Sequence, residues 1–283
     1  MRVRREGRAA EDGYANELVP GLRASADAAR LAEEIEFAAA RLAALAIEPP
    51  GLYGEARELA DGELERASWI CVLCAYLGPT EEEEDPFASI RAVLDAAPGP
   101  AAAAELGGLL DDAEPGPRSS HERGRGAATL EAYAQWVGRA GDGSQGAAFA
   151  GDGSWAAERR FARLFERLAL PGFSRAGRYE LLVTLGRLGL YEIQADSLQL
   201  GGPRVGAAPE DPTVLAAKRV FGIADPLLLD RRAGALAEAA AVPIEALDLA
   251  LANWVAPVRA TAGFPAGEPG LGTVSEAIAA LGL

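Results

Sequence analysis

Two cysteines, one histidine and one lysine are all that this chain of 283 residues holds of those types. The cysteines, Cys71 and Cys74, form a lone CxxC in the apolar run Trp69–Leu77, where i,i+3 spacing puts both thiols on one helical face. A pair cannot close a zinc or iron–sulfur site, and the sole histidine, His121, lies in a polar stretch far along the chain. No metal and no cofactor is expected, and the thiols read as buried structural groups. Long apolar runs are also missing: none approaches the roughly 20 residues needed to cross a bilayer. The N-terminal Met1–Gly13 lacks the apolar core of a secretory signal, so the expectation is a cytoplasmic chain with no membrane partner.

Positive charge is scarce overall. A formal net charge of −15 argues against nucleic-acid binding by the whole surface, because DNA affinity comes largely from Lys and Arg replacing phosphate counterions. The distribution is uneven, however. Between Trp155 and Leu190 stand Arg159, Arg160, Arg163, Arg167, Arg175, Arg178 and Arg187 against only Glu158, Glu166 and Glu180. This basic island is either a phosphate-facing surface or a solvated helix face balanced by i,i+4 pairs.

What remains is helical. Apolar residues recur at three- and four-residue steps in Leu22–Ile47, Leu64–Leu77, Phe87–Leu94, Ala127–Val137, Trp155–Leu168, Gly177–Leu188, Pro212–Phe221, Arg231–Ala241 and Ile244–Trp254. Only Tyr191–Leu200 alternates enough for a short extended piece. Gly- and Pro-rich breaks fall at Pro49–Gly51, Gly78–Asp85, Pro98–Pro100, Asp111–Gly126, Gly141–Gly153 and Gly201–Pro209. The sequence GDGS, at Gly141–Ser144 and Gly151–Ser154, lacks the ligand ladder of a calcium loop and reads as a helix-to-helix connection with an Asp or Ser cap. The acidic run Glu81–Asp85 would repel DNA and belongs away from any nucleic-acid face. Arg118–Gly126, RSSHERGRG, is either a phosphate-contacting loop or an unstructured linker, and His121 as a general base would require a nucleophile and an orienting partner that the sequence does not place.

Two segments carry the chemistry. Leu170–Arg178, LPGFSRAGR, is a helix stop, a Pro-Gly turn and a helix start, whose exposed N–H groups and helix dipole favour a phosphate. Some fifty residues later, Leu227–Ala233 reads LLLDRRA. The pair resembles the two signatures of helix-hairpin-helix DNA glycosylases, in which the turn reads LPGVG and a later apolar run ends in an aspartate before a helix. Here Phe173 takes the apolar position and Ser174 replaces the second glycine.

The resemblance implies an all-α fold, helix-hairpin-helix DNA glycosylase-like, with two helical subdomains flanking a cleft. One subdomain would span 60–200 and end in the hairpin; the other would combine 1–59 with 201–283. It implies DNA contacts from Gly172, Ser174, Arg175, Ala176 and Arg178, and Asp230 as the catalytic carboxylate; an Asp N-cap on a helix at Arg231–Ala241 is the plainer alternative. Strand-cleaving members carry a lysine where this chain has Ala176, and Lys218 lies elsewhere, in a helix. A monofunctional enzyme that leaves an abasic site is therefore implied. Flipping a base from the stack requires apolar walls, and Trp69, Tyr76 and Trp254 are the candidates, with core packing as their ordinary role.

Within the superfamily, DPTVLAAKRVFGIADPLLLDRRA is similar to the α-glutamyl/putrescinyl thymine pyrophosphorylase branch, over roughly Trp69–Trp254. Members are linked to hypermodified pyrimidines of phage DNA, building such bases or, in bacteria, excising them in antiviral defence. The expected function is excision of a hypermodified pyrimidine, such as glucosylated 5-hydroxymethylcytosine, from double-stranded phage DNA by a monomeric enzyme. The alternatives are a base-tailoring transferase that displaces pyrophosphate from an activated 5-hydroxymethyl pyrimidine, and a non-catalytic helical DNA- or protein-binding module.

Overall fold

A computed structural model describes residues 9–81, 84–201, 211–264 and 274–283. Among them every regular element is helical, as the apolar periodicity predicts. α1 (Ser25–Ile47) buries Ala28, Leu31, Ala32, Ile35, Ala38, Leu42 and Leu45, a stripe at three- and four-residue steps. It packs most extensively against α12 (Ala246–Val255), and the Trp254 indole N–H donates to the Asp27 carbonyl at 2.9 Å. Around this pair lie α10 (Pro212–Phe221), α11 (Pro226–Ala239) and α13 (Val274–Ala280). The rest of the fold centres on α3 (Leu64–Leu77), whose run Ala67–Leu77 is buried on every face. Against α3 pack α2 (Gly51–Glu58), α4 (Ala88–Ala96), α7 (Gln145–Ala150) and α9 (Arg175–Arg187). α6 (Gly126–Gly138) follows α5 (Gly107–Asp112), and α8 (Ala157–Arg167) lies on α9. One continuous cluster of buried side chains runs through both groups, and α1 touches α9 directly.

Several boundaries differ from the expected ones. Gly51–Glu58 folds as a helix although Pro49–Gly51 reads as a break: Pro50 occupies the N-cap, so the proline starts an element instead of ending one. α11 begins at Pro226, five residues before the expected Arg231, because Asp225 caps it by accepting the Leu228 N–H at 3.0 Å and Pro226 supplies a helix-ready φ. Tyr191–Leu200 forms turns and bends in place of an extended piece. Its polar groups go to neighbours: the Glu192 carbonyl accepts from Arg160 at 2.6 Å and the Ser197 carbonyl from the Tyr179 hydroxyl at 3.1 Å.

The two GDGS copies do different things. Ser144 caps α7 by accepting the Ala147 N–H, while Asp152 closes a turn onto the Ser154 N–H at 2.9 Å, leaving α8 with no side-chain cap at Ala156. Of the acidic run, Glu82 and Glu83 lie outside the described residues, and Glu81 accepts the Thr261 N–H at 2.8 Å. Among the described residues no helix is long and apolar enough to cross a membrane.

Trp69 anchors the α3 layer. It is fully buried, stacked on Tyr133 with ring centroids 6.0 Å apart, and its indole N–H donates to the Ala97 carbonyl at 2.7 Å. Trp69→Ala should cost about 3–5 kcal/mol of unfolding free energy through cavity formation and the orphaned carbonyl, read by chemical denaturation.

Candidate functional site

The turn between α8 and α9 is built by backbone geometry. α8 ends at Arg167 with Leu168 as its C-cap, the Phe173 N–H returns to the Leu170 carbonyl at 3.1 Å, and Gly172 sits at φ +79°. A Cβ at 172 would overlap Thr129 Oγ1, so both the positive φ and the close approach of α6 require glycine there. Ser174 needs no such freedom. At φ −64°, ψ 164° it is an ordinary N-cap, its hydroxyl accepting the Gly177 N–H at 3.0 Å. Serine in place of a second glycine thus keeps the turn and caps the helix.

The segment Arg118–Gly126 lies on this turn. Ser120 Oγ is 2.7 Å from Ser174 Oγ and accepts the Ser174 N–H at 3.2 Å. Ser119 Oγ accepts the His121 N–H at 2.8 Å and donates to the Tyr76 carbonyl, and the Tyr76 hydroxyl meets His121 Nδ1 at 3.1 Å. Burial holds the half-buried His121 imidazole below its ordinary pKa. The stretch read as either phosphate loop or linker is therefore an ordered part of the turn, presenting exposed Arg123 and Arg125, the latter 2.7 Å from Glu122.

Arg175 and Arg178, expected to reach outward to phosphate, turn inward. Arg178 is 1% exposed, lies over the Phe165 ring and donates to the Phe165 carbonyl at 2.9 Å, and burial lowers its pKa to about 10. Arg175 lies over Tyr179, pairs with Asp211 at 3.1 Å and with Asp248, and donates to the Leu198 carbonyl at 2.7 Å. Asp248 engages Arg175 with one oxygen and Arg118 with the other. Asp211 also caps α10 through the Thr213 N–H at 2.8 Å, with Pro212 as the first helical residue. Beside this network Arg41 of α1 pairs with Glu180 of α9, and Arg187 pairs with Glu245 at 3.1 Å. Of the expected turn residues, Gly172, Ser174 and Ala176 keep part of their surface open.

Asp230 sits one turn inside α11 instead of at its N-terminus; Asp225 takes the cap. Its carboxylate accepts the Leu198 N–H at 2.9 Å and the Leu200 N–H at 3.1 Å, and it is half-buried. Desolvation raises its pKa above the ordinary aspartate value even though these N–H groups and the nearby Arg175 oppose the shift. Asp211, Asp248, Glu180 and Glu245 are each tied to an arginine side chain. Asp230 is instead held by backbone, with lone pairs left over on a partly open group.

The three expected base walls are core residues. Trp69 is enclosed as described, Trp254 is tied to α1, and Tyr76 is 1% exposed between His121 and Phe173. Lys218 lies in the last turn of α10, half-buried. Sequence reasoning passed over Arg118 and Asp248 as network members. A signal for Asp248 exists: it is the one acid in ALDLALANW, and an acid on an otherwise buried helix needs a cationic partner.

A family model described as alpha-glutamyl/putrescinyl thymine pyrophosphorylase clade 3 matches residues 117–260, half of the chain. The chain belongs to that family. Nothing matches it among curated proteins or among solved structures. The clade 3 match takes in Arg118, the α8–α9 turn, Asp211, Asp230 and Asp248, so the turn and its network lie inside the family unit. It points to an enzyme of the hypermodified-base pathway acting on DNA.

Gly172→Ala should lower stability by about 1–3 kcal/mol through left-handed strain, more where Thr129 cannot yield, as read by thermal melting. Asp248→Asn, which takes the carboxylate from Arg118 and leaves Arg175 with Asp211 as its one acidic partner, should cost about 3 kcal/mol in the same melts. Arginine neighbours hold Asp211 and Glu180 below their ordinary pKa values despite burial. Their contribution is fully present above the unfolded carboxylate range, about pH 4, and lost as pH falls through the lowered folded values. Denaturant titrations at descending pH should therefore show Asp211→Asn losing less stability below about pH 4 than the parent.

Proposed function

We propose that the chain is a DNA glycosylase that excises a hypermodified pyrimidine, such as glucosylated 5-hydroxymethylcytosine, from double-stranded phage DNA and leaves an abasic site. The observation that carries this reading is the Asp230 carboxylate, partly open, fixed by two backbone N–H groups and joined through Leu198 to the first residue of α9. Breaking the C1′–N1 bond sends its electron pair to the base and builds positive charge on the sugar. A fixed carboxylate beside C1′ stabilises that charge, orients a water whose oxygen bonds to C1′, and takes the proton the water releases; the departing base is protonated from solvent. Ala176, where strand-cleaving relatives of the resembled superfamily carry lysine, fits hydrolysis without a Schiff base. The turn and the exposed Arg123 and Arg125 beside it would meet the DNA backbone.

The family description favours a second reading, displacement of pyrophosphate from an activated pyrimidine by an amine. That reaction needs a cationic site for the leaving group. The arginine whose charge reaches Asp230 is already engaged: Arg175 pairs with Asp211 and Asp248.

Phage DNA carrying cytosine, 5-hydroxymethylcytosine or its glucosylated form, incubated with the purified protein, should yield abasic sites and free base from modified DNA alone. Asp230→Asn should reduce the rate at least about a hundredfold, the scale for losing one preorganised electrostatic group. Pyrophosphate release from activated DNA in the presence of an amine, without abasic sites, would replace this reading by the transferase one. Because burial raises the Asp230 pKa, the acid limb of the pH–rate profile should lie above the ordinary aspartate value of about 3.9.

A further inference from the structure

One residue joins the turn to the carboxylate. Arg175, the first residue of α9, donates from Nη1 to the Leu198 carbonyl at 2.7 Å, and the Leu198 N–H donates to Asp230 Oδ1 at 2.9 Å. The guanidinium is itself immobilised: Nε faces Asp211 at 3.1 Å, Nη2 pairs with Asp248, and Tyr179 lies beneath it with its ring centroid at 5.4 Å. Leu198 is fully buried, so its backbone orientation has little freedom of its own. Resting on the glycosylase reading above, we infer that Arg175 is a positioning residue, which fixes the Leu198 backbone so that its N–H holds the Asp230 carboxylate in one orientation. The arginine touches neither DNA nor the reacting sugar. Its role is set by the helix start that Ser174 caps, so the turn and the carboxylate are built as one unit.

Positioning and phosphate binding leave different traces. Were Arg175 bound to a phosphate, its replacement would raise KM for DNA and lower the slope of log affinity against log salt by about 0.9. Positioning predicts for Arg175→Lys a fall in kcat of about tenfold or more with KM within about twofold, and for Arg175→Gln, which removes the charge, an unchanged salt slope. The titration of the Asp230 carboxyl, followed by carbon-13 NMR on the DNA-free protein, should move upward. The charged groups facing Asp230 are Arg175, which lowers its pKa, and Asp196, which raises it. Asp211→Asn, which keeps an α10 cap but removes the ion pair at Nε, should lower kcat in smaller measure and serves if Arg175→Lys does not fold.

A raised KM with a reduced salt slope would overturn the inference, as would an Asp230 titration and kcat that stay at parental values in both folded variants. Should the parent release no base from any DNA, the glycosylase reading falls, while the Asp230 titration still decides whether Arg175 sets that carboxylate.

Discussion

The Asp248 carboxylate holds this structure's polar interior together. Its oxygens engage Arg118 and Arg175 separately, its carbonyl accepts from Thr213, and Arg175 carries the network on to Asp211. Two cations and two anions balance, which is the condition for ionised groups to tolerate burial at all. Four separate stretches converge as a result: the segment before α6, the start of α9, the cap of α10 and the first turns of α12. Apolar burial is non-directional and would allow these helices to slide. Directed ion pairs do not, so the network sets the register of α9 on α12.

Helices with a clear apolar stripe were legible in the sequence. α1, α3, α6, α8, α9, α10 and α12 lie within a few residues of where the three-and-four spacing puts them. Short elements were not. α2, α5 and α7 have eight residues or fewer, so one or two turns carry too few apolar positions to set a period. α11 was misplaced at its start because PLLLD reads as an apolar run until Asp225 and Pro226 are recognised as cap and first helical residue. Tyr191–Leu200 alternates, yet no strand lies beside it among the described residues; arginine and tyrosine side chains satisfy its carbonyls instead.

The site was legible as a list of positions and much less so as a set of directions. Family membership over 117–260 agrees with the branch suggested by Asp211–Ala233. Charge counting over Trp155–Leu190 suggested an outward basic face; Arg159, Arg163 and Arg167 are exposed as that face requires, whereas Arg160 and Arg178 are buried on backbone carbonyls and Arg175 pairs with carboxylates. Net charge records how many guanidinium groups a segment has, while orientation depends on which carbonyls and acids the tertiary fold leaves beside them. Nothing local in LDLAL names Arg118 or Arg175 as partners, since they lie 130 and 73 residues away.

The cysteine pair of α3 has a use that follows from its enclosure. Both thiols are free and inside the core, and burial pushes the Cys71 thiol up to about 12 and the Cys74 thiol well above its ordinary value. Neither forms the reactive thiolate while α3 stays packed. Alkylation of the native protein would thus proceed only through transient opening of a helix that is enclosed in the core. The chain carries its own clock for the breathing of its centre, readable without introducing any label site.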